Sequence, residues 1–404
     1  MALDAETLNL LLAAVRRFVA EKLEPAEQAL AESGAIPDDI VAGMRELGLF
    51  GLSIPQEYGG LGLNMEEEVL VAFELGKTSP AFRSLAGTNI GIGSQAIVLA
   101  GSDEQRRRYL PRIASGDIIG SFALTEPEAG SDAKSLRTSA RRDGEHYVLN
   151  GTKRFITNAP VAGLFTVMAR TGAAGASSGS GGGAQDGGSP QQGRGAGAIS
   201  CFLVEAGTPG LILGKPDKKM GQAGSLTCDV IFDDCRVPAG ALLGGMEGHG
   251  FSTAMRVLDK GRLHIAAVCV GVAERLIREM VTYAAGRRQF GRRIADFQLI
   301  QAMIADSQAE AYAARCMVLD AARRRDLGEN TTLAASCCKM YASEMVGRVA
   351  DRAVQVHGGA GYMADYAVER FYRDVRLFRI YEGTTQIQQL VIARETMKAH
   401  GVAA

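Results

Sequence analysis

The hydrophobic period changes twice along this chain, and that double change limits the fold more than any other feature. From Ala5 to about Gly120 apolar residues recur at helical steps, with Leu8, Leu11, Leu12, Val15, Phe18 and Val19 on one stripe. Further helical blocks are predicted over 37–47, 65–75 and 103–113, separated by Gly-rich turns such as 58–62. Short strand-like runs follow at 154–157, 165–169, 199–204 and 229–232, closing near Val237-Pro238. Tyr147-Val148-Leu149 leads into Asn150-Gly151, whose tolerance of positive φ predicts a tight hairpin there. After Gly250 the helical period returns, and Leu263, Ala266, Ala267, Val270, Ile277, Met280, Val281 and Ala284 form one face of a long helix. Two more helices are predicted near 296–324 and 332–356, long and apolar enough for an antiparallel bundle. The reading is helices over 1–121, an antiparallel β unit over 122–238, and helices again over 239–404.

Within the β unit, 171–197 is almost wholly Gly, Ala, Ser and Gln. Such a stretch cannot bury enough apolar surface to offset its ordering entropy, so a flexible surface loop between two strands is predicted. The 404 residues, 47% of them hydrophobic, allow a large core and more than one structural unit. A net charge of −1 gives no global attraction to nucleic acid or an anionic membrane. No apolar run reaches the length of a membrane span, and the start of the chain lacks the pattern of a secretory signal, so a cytoplasmic protein is expected. The seven cysteines carry no paired or metal-binding spacing, and neither disulfides nor a metal is expected.

One segment stands out chemically. In Tyr381-Glu382-Gly383-Thr384-Thr385-Gln386-Ile387-Gln388, Thr385 and Gln388 fit a capping box, and Gly383 permits a sharp entry into a helix. Glu382 precedes that helix, either as a rigidly held general base or as an ordinary glutamate near a helix start.

Tyr381-Glu382-Gly383-Thr384 resembles the C-terminal signature of the acyl-CoA dehydrogenases. Four more segments resemble that family in the family's own order. Leu124-Thr125-Glu126-Pro127-Glu128-Ala129-Gly130-Ser131-Asp132 and Lys153-Arg154-Phe155-Ile156-Thr157-Asn158 are similar to its flavin-contacting segments. Arg287-Arg288-Gln289-Phe290-Gly291 and Gln355-Val356-His357-Gly358-Gly359-Ala360-Gly361 are similar to two later dinucleotide-holding motifs. The resemblance spans nearly the whole chain. It implies an α+β fold with an N-terminal helical domain, a middle β-barrel or sandwich domain and a C-terminal four-helix bundle.

It also implies the chemistry. Glu382 would remove the α-proton of an acyl-CoA thioester while the β-hydride passes to N5 of FAD, giving a trans-2-enoyl-CoA. The thioester carbonyl would accept hydrogen bonds from the Glu382 N–H and a ribityl hydroxyl. Thr125, Phe155, Thr157, Thr384 and Gln386 would contact the flavin ring region. Arg287 and Phe290, with Gln355, Gly358 and Gly359, would hold the dinucleotide, across a subunit boundary in the case of Arg287. Any one of those glycines is equally a helix stop. Ser131, Asp259, Arg262, Tyr381 and Gly383 would contact substrate, although Arg262 alone reads as a structural ion-pair residue. Electron-transfer flavoprotein as acceptor and a homotetramer are implied in the same way. The shorter chain favours this reading over an acyl-CoA oxidase, since the oxidases usually carry an extra C-terminal domain, and retention of Glu382 with both threonines counts against a non-catalytic scaffold.

Three positions bear on specificity. Phe155 stands where many relatives have tryptophan, and this chain has no tryptophan. Gly261 stands where a minority of the family places its base on the long helix, leaving Glu382 as the candidate. Phe82-Arg83-Ser84 resembles a glutaryl-CoA dehydrogenase segment whose arginine meets a distal carboxylate; a structural arginine is the simpler reading.

Overall fold

The computed structural model describes residues 3–171 and 198–402. The predicted loop over 171–197 therefore lies, apart from its first residue, outside the described residues. The described chain forms two compact units. One comprises Met1–Gly91, Lys218–Ser225 and Leu258–Ala404; the other comprises Ile92–Asp217 and Leu226–Val257. No described helix is long and apolar enough to cross a membrane.

The first unit is helical. Its N-terminal part holds α1 (Ala5–Phe18), α2 (Glu24–Ser33), α3 (Asp38–Glu46), α4 (Met65–Leu75) and α5 (Pro80–Thr88). Asn64 caps α4 through a reciprocal bond pair with Glu67, each bond 2.9 Å long. The next two N–H groups, of Met65 and Glu66, both donate to the Asp326 carboxylate at 2.8 Å. The anion that completes this N-terminus thus comes from the far end of the chain.

The second unit contains α6 (Gln95–Ala100), α7 (Asp103–Ala114) and a seven-stranded sheet. The strands are β1 (Gly120–Ala123), β2 (Ser139–Asp143), β3 (His146–Thr157), β4 (Leu164–Arg170), β5 (Ile199–Glu205), β6 (Leu211–Leu213) and β7 (Thr227–Pro238). Most pairs are antiparallel, but β1 runs parallel to β4. Tyr147, Leu149, Phe165, Val167, Phe202, Val230 and Phe232 belong to the core of this sheet.

The hairpin expected at Asn150-Gly151 is not there. β3 runs straight through both residues, and the chain reverses earlier, where Asp143 pairs with His146 around Gly144 at φ +59°. The positive-φ tolerance of Gly151 is used inside the strand instead: φ is +147°, and a Cβ there would stand 2.7 Å from Thr138 Cα. Asn150 serves the bulge opposite. Its amide donates to Asp234 Oδ1 at 3.0 Å and accepts from Asp234 N at 2.8 Å, where Asp234 has φ +46°.

The long helix α8 (Gly250–Gly286) begins in the sheet-containing unit and continues through the helical one. After it come the two-stranded hairpin β8 (Arg288–Gln289) and β9 (Arg292–Arg293), then α9 (Gln298–Asp326), α10 (Thr332–His357), α11 (Ala367–Val375) and α12 (Thr385–Ala399). Met65, Val69 and Phe73 of α4 share one core with Leu263–Ala284 residues of α8, Val318 of α9 and Met345 of α10. The backbones of α4 and α8 approach closely where two glycines meet. A Cβ on Gly76 would lie 2.6 Å from the Val268 carbonyl, and one on Gly271 would lie 2.8 Å from Gly76 Cα. Overpacking such a crossing typically costs about 1–3 kcal/mol. Gly271→Val is expected to lose at least that much in urea unfolding, and an unchanged midpoint would show that the crossing is not tight.

Candidate active site

Glu382 sits at a strained turn. Its φ is +53°, Gly383 follows at +89°, and Thr384 then caps α12 by accepting from Ile387 N at 3.3 Å. The cap is therefore Thr384 and not Thr385, one residue earlier than the sequence suggested. Thr385 instead donates to Glu344 Oε1 at 2.7 Å. Gln388, expected to complete a capping box, turns inward and donates to the carbonyls of Glu382 and Gly383 at 3.2 and 3.1 Å.

The Glu382 side chain is half-buried, but its Oε2 is buried and has no hydrogen-bond partner among the described residues. It lies against Gly261 of α8, where a Cβ would stand 2.9 Å from its Cδ and would collide with Oε2. Burial raises the Glu382 pKa, while the charges of Arg83, Lys339 and Arg262 oppose the rise. Arg262 Nη1 is tied to Asp259 Oδ1 at 2.6 Å, Asp259 Oδ2 accepts from Thr332 at 3.1 Å, and Arg262 Nε remains buried and unpartnered. Arg83 is also buried with an unpartnered Nε, its guanidinium folded over Gly87, where a Cβ would lie 2.5 Å from that nitrogen. Tyr381 packs on Phe378 with ring centroids 5.9 Å apart, and burial pushes its hydroxyl pKa up.

Behind this cluster lies a polar set that the sequence reading missed. Glu68 of α4 meets His264 Nδ1 at 2.9 Å and Lys260 Nζ at 2.9 Å. Burial would raise the Glu68 carboxyl, but Lys260 and His264 outweigh it and hold it at about 2. Burial and the Arg83 charge push His264 down to about 4, so the ring is neutral at pH 7 with Nδ1–H donating to Glu68. His264 Nε2 is then a buried acceptor without a partner.

The other expected cofactor residues fall into two further groups. In the sheet-containing unit, Thr125 and Thr157 are each tied into the sheet by their backbone: Arg154 N donates to the Thr125 carbonyl at 2.8 Å, and Ser121 Oγ donates to the Thr157 carbonyl at 2.7 Å. Neither threonine hydroxyl bonds another group among the described residues. Between them Phe155 bulges out of the ladder at φ +59° and is 59% exposed, with Arg154 over its ring. Ser131 is exposed on the loop that follows Thr125. In the helical unit, Arg287 and Phe290 lie on and beside the β8–β9 hairpin, with Phe290 at φ +51° and 93% exposed. Gln355, Gly358 and Gly359 lie at the end of α10, and Gly358 adopts φ +59°. Tyr283 links the two places by stacking on His357 at 4.2 Å. Gln386 is exposed on the first turn of α12.

The whole chain matches three family descriptions in order: acyl-CoA dehydrogenase N-terminal domain over 5–117, middle domain over 121–235 and C-terminal domain over 248–397. It is 42% identical to acryloyl-CoA reductase (NADH) of Anaerotignum propionicum, covering 95% of this chain and 92% of that one. The chain belongs to the acyl-CoA dehydrogenase family. It is also 40% identical to a caffeyl-CoA reductase–Etf complex subunit of Acetobacterium woodii, covering 91% and 92% of the two chains. The solved butyryl-CoA dehydrogenase of Megasphaera elsdenii superposes with a TM-score of 0.89 at 32% identity, covering 98% of this chain and all of that one.

An acyl-CoA dehydrogenase is an FAD-dependent oxidoreductase, and the residues present fit that cofactor. Two hydroxyls without a partner among the described residues, carried on segments that a β3 backbone bond joins, and an exposed ring suit a flat heteroaromatic with a polar edge. The segments carrying them are locked by a buried ion pair. Lys153 Nζ lies 2.8 Å from Glu126 Oε1 and 3.2 Å from the Leu124 carbonyl, and Glu126 also accepts from the N–H groups of Arg137 and Thr138 at 2.5 and 2.9 Å. Burial works against the Glu126 carboxylate, yet Lys153 and these donors hold its pKa below the ordinary range. Lys153→Met would leave that carboxylate buried and unpaired, which costs about 3–5 kcal/mol. The variant is expected to unfold at correspondingly lower urea and to retain less flavin; wild-type flavin content and midpoint would show that the pair does not organise the two segments.

Proposed function

We propose that this acyl-CoA dehydrogenase carries out α,β-dehydrogenation of an acyl-CoA thioester with Glu382 as the base that takes the α-proton. The observation that carries the reading is the buried, unpartnered Oε2 of Glu382, set beside an absent side chain at Gly261 and faced by three cations. A carboxylate without a hydrogen-bond partner on one oxygen is available to accept a proton at that atom. A thioester α-carbon is only weakly acidic, so the ground-state site must hold the base dry and aimed. Glu382 meets both needs, because its strained backbone allows little freedom and its surroundings raise its proton affinity. When bound, FAD supplies the two-electron sink for the hydride that leaves Cβ.

The remaining assignments follow the same reading. Thr125, Phe155, Thr157, Thr384 and Gln386 contact the flavin ring region. Arg287, Phe290, Gln355, Gly358 and Gly359 hold the rest of the dinucleotide. Ser131, Asp259, Arg262, Tyr381 and Gly383 form the thioester and CoA contacts. The functional division is 1–121, 122–238 and 239–404, the assembly is a homotetramer, and an electron-transfer flavoprotein takes the electrons. A relative that is a subunit of an Etf complex supports that acceptor.

A second reading concerns the acyl group. Arg83 is buried with an unpartnered nitrogen close enough to Glu382 to influence its ionisation. That placement favours a substrate with a distal carboxylate, such as a glutaryl thioester, which a guanidinium would hold as an ion pair.

Anaerobic titration with butyryl-, isovaleryl-, octanoyl- and glutaryl-CoA, following flavin bleaching, tests both readings. Bleaching led by glutaryl-CoA supports the role of Arg83, and bleaching led by the others makes Arg83 only an electrostatic neighbour of the base. Glu382→Gln is expected to keep bound flavin and lose about 10²–10⁴ of the reduction rate. Residual reduction within tenfold of wild type would sink the assignment. Since the Glu382 pKa is raised and the ionised form is the active one, kcat/KM should fall as pH drops through a value above the ordinary carboxylate range.

A further inference from the structure

Lys339 lies on the apolar face of α10, with Ala335 and Ala342 one turn to either side, and its side chain is wholly buried. A buried ammonium persists only where something offsets its lost hydration. Among the described residues no carboxylate stands within ion-pair distance of it, and its Nζ instead donates to the Gly383 carbonyl at 2.6 Å. The same carbonyl accepts from Gln388 Nε2 at 3.1 Å, and Gln388 also reaches the Glu382 carbonyl at 3.2 Å. Two side chains, from α10 and α12, thus clamp a turn in which a non-glycine residue is held at φ +53° beside a glycine at +89°. Such a conformation is populated only where its surroundings over-determine it.

We infer that Lys339 is a positioning residue for the reaction: it fixes the turn that aims Glu382 and supplies positive charge that keeps the carboxylate ionised. The inference rests on Glu382 being the base. The two roles come from one group because the peptide carbonyl and the carboxylate belong to adjacent residues.

The charged and titratable neighbours define the sign of the effect. Facing Lys339 are Glu382 from the turn, Arg262 and the Cys269 thiol from α8, and Glu344 from its own helix. Facing Glu382 are Arg83 from α5, Arg262 from α8 and Lys339. Burial drives the Cys269 thiol up, so it stays neutral. Burial also draws Lys339 down to about 8, which leaves the ammonium form predominant at neutral pH. Replacing it by a neutral group removes one of three cations that oppose the burial of Glu382. The carboxyl then titrates at higher pH, and the acid limb of the rate profile moves the same way.

The experiment compares wild type, Lys339→Met, Lys339→Gln, Lys339→Arg and Glu382→Gln as flavin-loaded full chains. Flavin reduction is followed by anaerobic stopped flow against pH, with butyryl-CoA or, where faster, glutaryl-CoA. Lys339→Met should move the acid limb of kcat/KM upward by about one pH unit, which is about tenfold lower activity below the limb. It should lower kcat with KM within about threefold, because Lys339 grips the turn and not the CoA. Lys339→Arg, which keeps the charge, should leave the limb in place. Lys339→Gln, which can still donate but carries no charge, should move the limb as Met does, and it decides the matter if the Met variant does not accumulate. A limb unmoved in both neutral variants, with only thermal stability reduced, would overturn the inference and make Lys339 structural. Wild-type reduction by Glu382→Gln would overturn the base reading itself, so the two failures are distinguishable.

Discussion

Much of the helical unit is arranged around one uncompensated carboxylate oxygen. Among the described residues Glu382 Oε2 is buried without a hydrogen bond, an arrangement that costs free energy in any folded protein. It is tolerated because several elements converge on it from different directions: α8 contributes an absent side chain at Gly261 and the Arg262 charge, α5 contributes Arg83, and α10 contributes Lys339. None of these touches Oε2 through a hydrogen bond. The surroundings lower the cost of burying the charge by field and by space, and they leave that oxygen free. Had the same cations been placed in direct ion pairs with the carboxylate, its affinity for a proton would have fallen.

The supporting groups are themselves under control. Asp259 holds Arg262, Thr332 holds Asp259, and Glu68 is shared between Lys260 and His264. The surplus of positive charge near Glu382 is thereby trimmed by fixed anions set one layer further out. Arg83 and Lys339 have no such partner among the described residues: Arg83 Nε is unpartnered, and Lys339 Nζ is held by the Gly383 carbonyl.

How much of this was legible in the sequence depended on whether a signal was periodic, local or spatial. The long helices came from apolar periodicity, and α4 and α10 begin where the pattern put them because burial, not propensity, fixes their extents. The family resemblance singled out Glu382, Thr125 and Thr157 as candidates because their motifs are contiguous. Asn150-Gly151 misled because the same positive-φ tolerance serves a hairpin and a bulge, and only the cross-strand partners Thr138 and Asp234 distinguish them. Thr384 and Thr385 are adjacent candidates for one cap, and Glu344, forty-one residues away, decides between them by engaging Thr385. Lys339 left a faint trace as a cation on the apolar stripe of α10. The Glu68–His264 pair left none, since its members are 196 residues apart.

The cap on α4 has a consequence for how the chain is made. The two N–H groups that open this helix find their acceptor in Asp326, some 260 residues later in the sequence. At ribosomal rates of about 5–20 residues per second, the N-terminal helices leave the tunnel some tens of seconds before that carboxylate exists. During that interval Val69 and Phe73 also lack the α8 and α9 surfaces that cover them in the finished core. The nascent N-terminal segment is therefore an incomplete half, apolar on one side, and it must be shielded until the C-terminal helices arrive.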